Sequence, residues 1–169
     1  SLTDVDDYPN RQGQTGNKAI TIPRDASGGP KEAARMIQRI TARTKEKLAQ
    51  NAKLAKLMSQ VKMVDTTEGV RIDLVDDADF SMFNLGTTVL TGEATALLGA
   101  IALAIEPEER KIIVRGHTDS LKWKHPGRVN NWSLSAGRAE ATRQTLMNEG
   151  IPDASFRRIE GVADTELLI

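Results

Sequence analysis

Residues 112–138 constrain this chain more than any other stretch. Ile112, Ile113 and Val114 make an apolar run of strand length. Gly116 closes it and gives the backbone room for a sharp turn. Thr118 and Asp119 then sit at the strand's carboxyl end. After a loop of roughly a dozen residues, the spacing predicts a helix starting near Ser133 or Ser135, either of which can cap it. Arg138 falls in its first turns. A strand end and the start of the next helix are close in space, so Asp119 and Arg138 can face one pocket. A carboxylate and a guanidinium there would suit a ligand carrying both an ammonium and a carboxylate. The same two side chains could instead pair with each other, and the residues alone leave both readings open.

The length, 169 residues, suits one domain with an appendage and can enclose a sizeable core. Lys and Arg number 23 and so do Asp and Glu, so no overall field draws a nucleic-acid backbone, and ionic recognition must be local. There is no cysteine, which suits an oxidising compartment without disulfides and many reducing ones as well. No apolar run reaches the roughly 20 residues of a membrane-spanning helix, and no signal peptide is visible.

Residues 1–29 are polar and rich in turn formers, with Ala19 to Ile22 as the one short strand candidate. They read as a linker or loosely ordered arm. Pro30 suits the first turn of a helix. Met36, Ile37, Ile40, Thr44 and Leu48 then step by three and four, and Leu54, Leu57 and Met58 continue with a drift in phase. One long linker helix over 30–60 is expected, either a partner helix or one packed on its own domain. Residues 61–169 make the main domain. Val70, Ile72 and Leu74 alternate with charged residues as a half-buried strand. Asp76, Asp77 and Asp79 lack the later glycine and glutamate of a calcium loop and read as a solvated acidic turn, closed by Phe80, Met82 and Phe83. Thr91 caps a helix with Ala94, Leu98, Ile101 and Ile105 on one stripe. Strand, helix and strand in that order imply a parallel crossover. A second unit follows, with Ala139, Thr142, Leu146 and Met147 facing the core and a strand over 156–162 whose Ile159 and Val162 point inward.

Gly116-His117-Thr118-Asp119, followed by Asn131-x-x-Leu134-Ser135-x-x-Arg138-Ala139, resembles the signature of OmpA-like peptidoglycan-binding domains. Asn131-Trp132 and Met82-Phe83 are similar to the MotB branch of that family, the flagellar stator proteins. The resemblance implies an α/β (α+β) two-layer sandwich, a βαβαβ(β) mixed sheet with helices on one face, preceded by the long N-terminal helix. It implies non-catalytic binding of the diaminopimelate of peptidoglycan stem peptides. Arg138 would grip the carboxylate, Asp119 would accept from the ammonium, and Asn131 and Thr118 would complete the clasp. Leu134 and Ser135 would set the entry of the helix. It further implies a periplasmic setting below an inner-membrane helix absent from this chain, a homodimer, a MotA-like partner, contact with basal-body ring proteins, and a C-terminal end cut short of the last strand. No cofactor, metal or nucleic acid is expected. The alternatives are an OmpA-like anchor of another envelope protein, such as a lipoprotein or porin, or a dimerisation module without wall binding. A hydrolase or metal enzyme built on His117, Asp119 and His125 lacks a third convergent ligand and a nucleophile with a placed base.

Overall fold

The structure is a computed structural model and describes residues 15–118 and 131–164. Five strands form one mixed sheet: β1 (Thr15–Pro23), β2 (Val61–Asp65), β3 (Gly69–Asp76), β4 (Ile112–Gly116) and β5 (Phe156–Gly161). Their spatial order is β2-β3-β1-β4-β5. The first strand is thus the centre of the sheet, antiparallel to both β3 and β4. Residues 15–23 are therefore part of the domain and not a loose arm. Their sequence conceals this because only Ala19 to Ile22 is apolar. The strand survives because both edges find partners and Ala19, Ile20 and Ile22 are all buried. Met63, Ile72, Ile20 and Val114 lie in one cross-strand row. Burying an isoleucine such as Ile20 or Ile72 contributes about 1.5–3 kcal/mol.

The expected long helix is two pieces. α1 (Pro30–Ala49) buries Ala33, Met36, Ile40, Thr44 and Leu48, the stripe visible in the sequence. It packs on its own domain, follows β1 and does not precede the fold. Asn51 then takes an extended backbone and accepts a hydrogen bond from the Lys53 amide at 2.9 Å, which starts a separate short helix, α2 (Ala52–Ala55). A 3₁₀ turn over Lys56–Gln60 leads into β2. Thr91 caps α3 (Gly92–Ile105) through the Ala94 amide, and Ala94, Leu98, Ile101 and Ile105 are buried as the spacing predicts.

The crossover from β3 through α3 to β4 spans one intervening strand, because β1 lies between them. The crossover from β4 through α4 (Asn131–Asn148) to β5 joins parallel neighbours, as expected. Two expectations at its far end are corrected. Met147 and Ile159 are exposed, the latter on the edge strand, while Val162 is buried. The acidic turn is a hydrogen-bonded one. Asp76 accepts from Asn17 and the Met82 amide, and Asp77 accepts from the Asp79 and Phe80 amides and from Gln60. Phe80, Met82 and Phe83 close it over the core.

Candidate ligand-binding site

Two glycines set the site by letting α4 lie on the sheet backbone. A Cβ on Gly116 would sit 1.9 Å from the Ser135 carbonyl oxygen, and one on Gly161 would sit 2.4 Å from the Ala136 amide nitrogen. Gly116 is therefore needed for contact with the helix and not for the turn expected of it. Ser135, fully buried, locks the same junction. Its hydroxyl donates to the Trp132 carbonyl and accepts from the Ala163 amide, both at 3.0 Å. Neither Ser133 nor Ser135 begins the helix, since α4 already includes Asn131. Arg138 consequently lies about two turns along it.

Arg138 is drawn under the loop that follows β3. Its Nε donates to the Thr87 carbonyl at 2.8 Å and its Nη1 to the His117 carbonyl at 3.0 Å. The guanidinium sits 4.8 Å from the centre of the Phe83 ring, within cation–π range. Burial lowers its pKa and the nearby charge of Asp76 offsets part of that shift, yet an arginine stays protonated. Among the described residues no carboxylate pairs with it, and Nη2 makes no hydrogen bond. A half-buried cation in that state is stabilised by any anion that reaches Nη2. The side-on fork of Nε and Nη2 is not open, because Nε is committed to Thr87. A carboxylate must therefore approach the Nη1–Nη2 end.

Two further buried polar atoms belong to the same stretch, since Thr118 follows the His117 carbonyl that holds Arg138 and Asn131 lies about two turns before Arg138 on one face of α4. Thr118 is 5% exposed, and its hydroxyl has no partner among the described residues. The same holds for the buried Oδ1 of Asn131. Gly116 abuts Ser135 and Ala139. Two residues along the strand, about 6.6 Å, bring Thr118 level with a point one helical turn, about 5.4 Å, before Ser135, which is Asn131. Unpaired buried oxygens are costly, about 1–3 kcal/mol each. They are the acceptors that a ligand ammonium or amide would satisfy.

Thr118 thus follows the carbonyl that holds Arg138, and Asn131 and Arg138 share one face of α4 about two turns apart. Leu134 is buried against the domain, and Ser135 ties the helix to the Ala163 amide instead of capping it. Asp119, His125 and the loop over 120–129 lie outside the described residues. His117 is buried with its Nε2 3.4 Å from the Lys18 carbonyl on β1. The sequence missed the Thr87 carbonyl, because a backbone acceptor leaves no side-chain signal. It also missed the Phe83 ring as a cation's neighbour, although Phe83 was visible as a plug.

A five-stranded mixed sheet with a helix laid on two glycines defines an open-sheet α/β domain. The chain belongs to the OmpA family, whose model matches residues 82–168. It is 31% identical over 117 residues to the truncated flagellar export/assembly protein LafU of Escherichia coli K12, covering 69% of this chain and 55% of that protein. It is 29% identical over 161 residues to Motility protein B of the same organism, covering 95% and 51%. The chain therefore spans about half the length of these relatives. Among solved structures it resembles the cell wall anchor of the type VI secretion system from Pseudomonas aeruginosa. There the TM-score is 0.52 with 25% identity, over 73% of this chain and 81% of that one. A MotB-like protein from Desulfovibrio vulgaris shares the fold with a TM-score of 0.54 and 18% identity, over 79% and 81%.

Proposed function

We propose that this domain binds peptidoglycan through the free amino-acid end of diaminopimelate in the stem peptide, and that it anchors a flagellar stator to the wall from the periplasm. The observation that carries the reading is the half-buried Arg138 cation, with no carboxylate partner among the described residues, together with the unpaired buried oxygens of Thr118 and Asn131 at the same end of β4 and α4. The ligand's carboxylate meets the Nη1–Nη2 end of Arg138. Its ammonium donates to Thr118 Oγ1, Asn131 Oδ1 and the Asp119 carboxylate. No bond is made or broken, so the site acts by grip alone. Desolvation of both charges offsets much of their attraction, so one site is a modest anchor. A homodimer paired with a MotA-like membrane partner would multiply it by avidity.

Co-sedimentation with purified diaminopimelate-type peptidoglycan tests this. The parent should pellet with the wall, and Arg138→Ala and Asp119→Ala, folded by circular dichroism, should stay in the supernatant. A parent that stays in solution, or variants that still pellet, would refute it. A second reading, an anchor for another envelope machine, draws on the likeness to the secretion-system wall anchor. Swimming tests of a deletion strain separate the two. Lost motility with intact flagella supports the stator, and normal motility supports the other anchor.

A further inference from the structure

The central strand of a sheet favours apolar and β-branched residues, yet Asn17 lies on β1 at 6% exposure. Its amide nitrogen donates to the Leu74 carbonyl at 3.3 Å and to the Asp76 carboxylate at 3.0 Å. The strand is irregular at this point. Asn17 pairs with Leu74 and Ile20 with Ile72, three steps on β1 against two on β3, so β1 carries one extra residue. Such a bulge re-aims the side chains around it. On its other side β1 meets β4 at Ile20 with Val114 and Thr21 with Ile113. Nearer its leading end, His117 Nε2 lies 3.4 Å from the Lys18 carbonyl. A carbonyl only accepts, so this nitrogen carries the proton in that contact.

Both contacts lead to Arg138. His117 gives its own carbonyl to Arg138 Nη1 at 3.0 Å. The Asp76 oxygen that takes the Asn17 amide also takes the Met82 backbone amide, at 3.1 Å. Met82 leads into Phe83, whose ring centre is 4.8 Å from the guanidinium, and then into the turn over 84–90, whose Thr87 carbonyl takes Arg138 Nε at 2.8 Å. That turn closes on itself, with the Asn84 amide on the Val89 carbonyl at 2.9 Å and the Thr91 amide on the Met82 carbonyl at 3.0 Å, so it moves as a unit. We infer that Asn17 and the Lys18 carbonyl are positioning groups for Arg138, bracing the two carbonyls that aim it, so that the seating of the leading end of β1 sets the Arg138 site. A binding side chain about 1 Å out of place makes a loose site. The bearing on ligand affinity rests on the function proposed above, whereas the positioning stands on these contacts alone.

Nuclear magnetic resonance of the Arg138 Nε–H separates positioning from a merely structural part. Asn17→Ala removes the amide, and His117→Phe removes the ring N–H while leaving the backbone carbonyl. Each should displace the Arg138 Nε–H resonance and speed its exchange with water at least about fivefold. Thr21→Val is the control. Thr21 is a buried polar residue of the same strand, and its hydroxyl accepts from Arg115 at 3.2 Å, apart from these contacts. The control should lower the melting temperature and leave the Arg138 Nε–H in place. An Nε–H that stays put in Asn17→Ala and His117→Phe overturns the inference. Equal displacement in Thr21→Val also overturns it, since general loosening then explains the change. If Asn17→Ala does not fold, His117→Phe decides alone. Calorimetric titration with meso-diaminopimelate then reads affinity, which should fall at least about fivefold in Asn17→Ala and stay within about twofold in Thr21→Val. Unchanged affinity beside a displaced Arg138 overturns the link to binding. A parent that ignores meso-diaminopimelate, with the Arg138 resonance still answering to Asn17, removes the proposed ligand and upholds the positioning.

Discussion

At the scale of the residue, Arg138 has two duties that pull apart. It ties the 84–90 turn to the end of β4 through two carbonyls, and in the proposed function its remaining nitrogen meets the ligand. Arg138→Lys keeps the charge but cannot hold both carbonyls and an anion at once. Wall binding should fall at least about thirtyfold with lysine and further with alanine. Measuring both variants by the pelleting assay checks the order. Ser135→Ala should cost about 1–3 kcal/mol, because the buried Ala163 amide loses its acceptor. Urea denaturation reads that cost, and wall affinity should persist in the folded fraction. The charged and polar residues of the proposed site stand out in the sequence because each carries its own side-chain chemistry. The Thr87 and His117 carbonyls that aim Arg138 were not, since every residue carries a carbonyl.

At the scale of the element, α4 is placed by what β4 and β5 lack. Gly116→Ala and Gly161→Ala should each cost about 3 kcal/mol or more, as overpacking against backbone with nowhere to relax. Gly92→Ala is the control. Nothing lies within 4 Å of its Cβ, and melting should shift little or upward. The sequence showed Gly116 at a strand end but suggested a turn, because a glycine that admits a helix looks the same as one that bends a chain. Another junction ties α1 to the end of α3. Glu108 accepts from Arg39 and Arg43 at 2.7–3.0 Å. The Arg39 guanidinium above all, with Arg43 beside it, holds the Glu108 carboxyl below its ordinary value of 4.5. A carboxyl depressed in the folded state contributes stability above that value and loses it as pH falls through the folded pKa. Stability should therefore decline below about pH 4.5, and Glu108→Gln should flatten that part of the decline in acid denaturation curves.

At the scale of the whole molecule, the first described strand is the keel of the sheet. A chain beginning at Arg24 would separate β3 from β4 and leave Ile72 and Val114 without their shared neighbour Ile20. It should show no cooperative melting transition. This placement was the least legible part of the fold. Period-3.6 spacing exposed the stripe of α1, and the apolar run exposed β4. A central strand at the chain's start looks like a tether, because its pairing partners lie some 50 and 94 residues away, as in Ile20 with Ile72 and Ile20 with Val114. Nothing local in a strand records such distant pairing. The stop at Asn51 was hidden for a different reason. One polar side chain turned a continuous apolar rhythm into two helices.

The most direct test of the pocket is nuclear magnetic resonance of the intact chain during titration with meso-diaminopimelate. The Arg138 Nε–H and the amides of Thr118 and Asn131 should shift together and saturate along one curve, and Arg138→Ala should abolish the shifts. Saturable shifts confined to another part of the sheet, or none at millimolar ligand, would contradict the assignment of Thr118, Asn131 and Arg138 as the place where the wall is held.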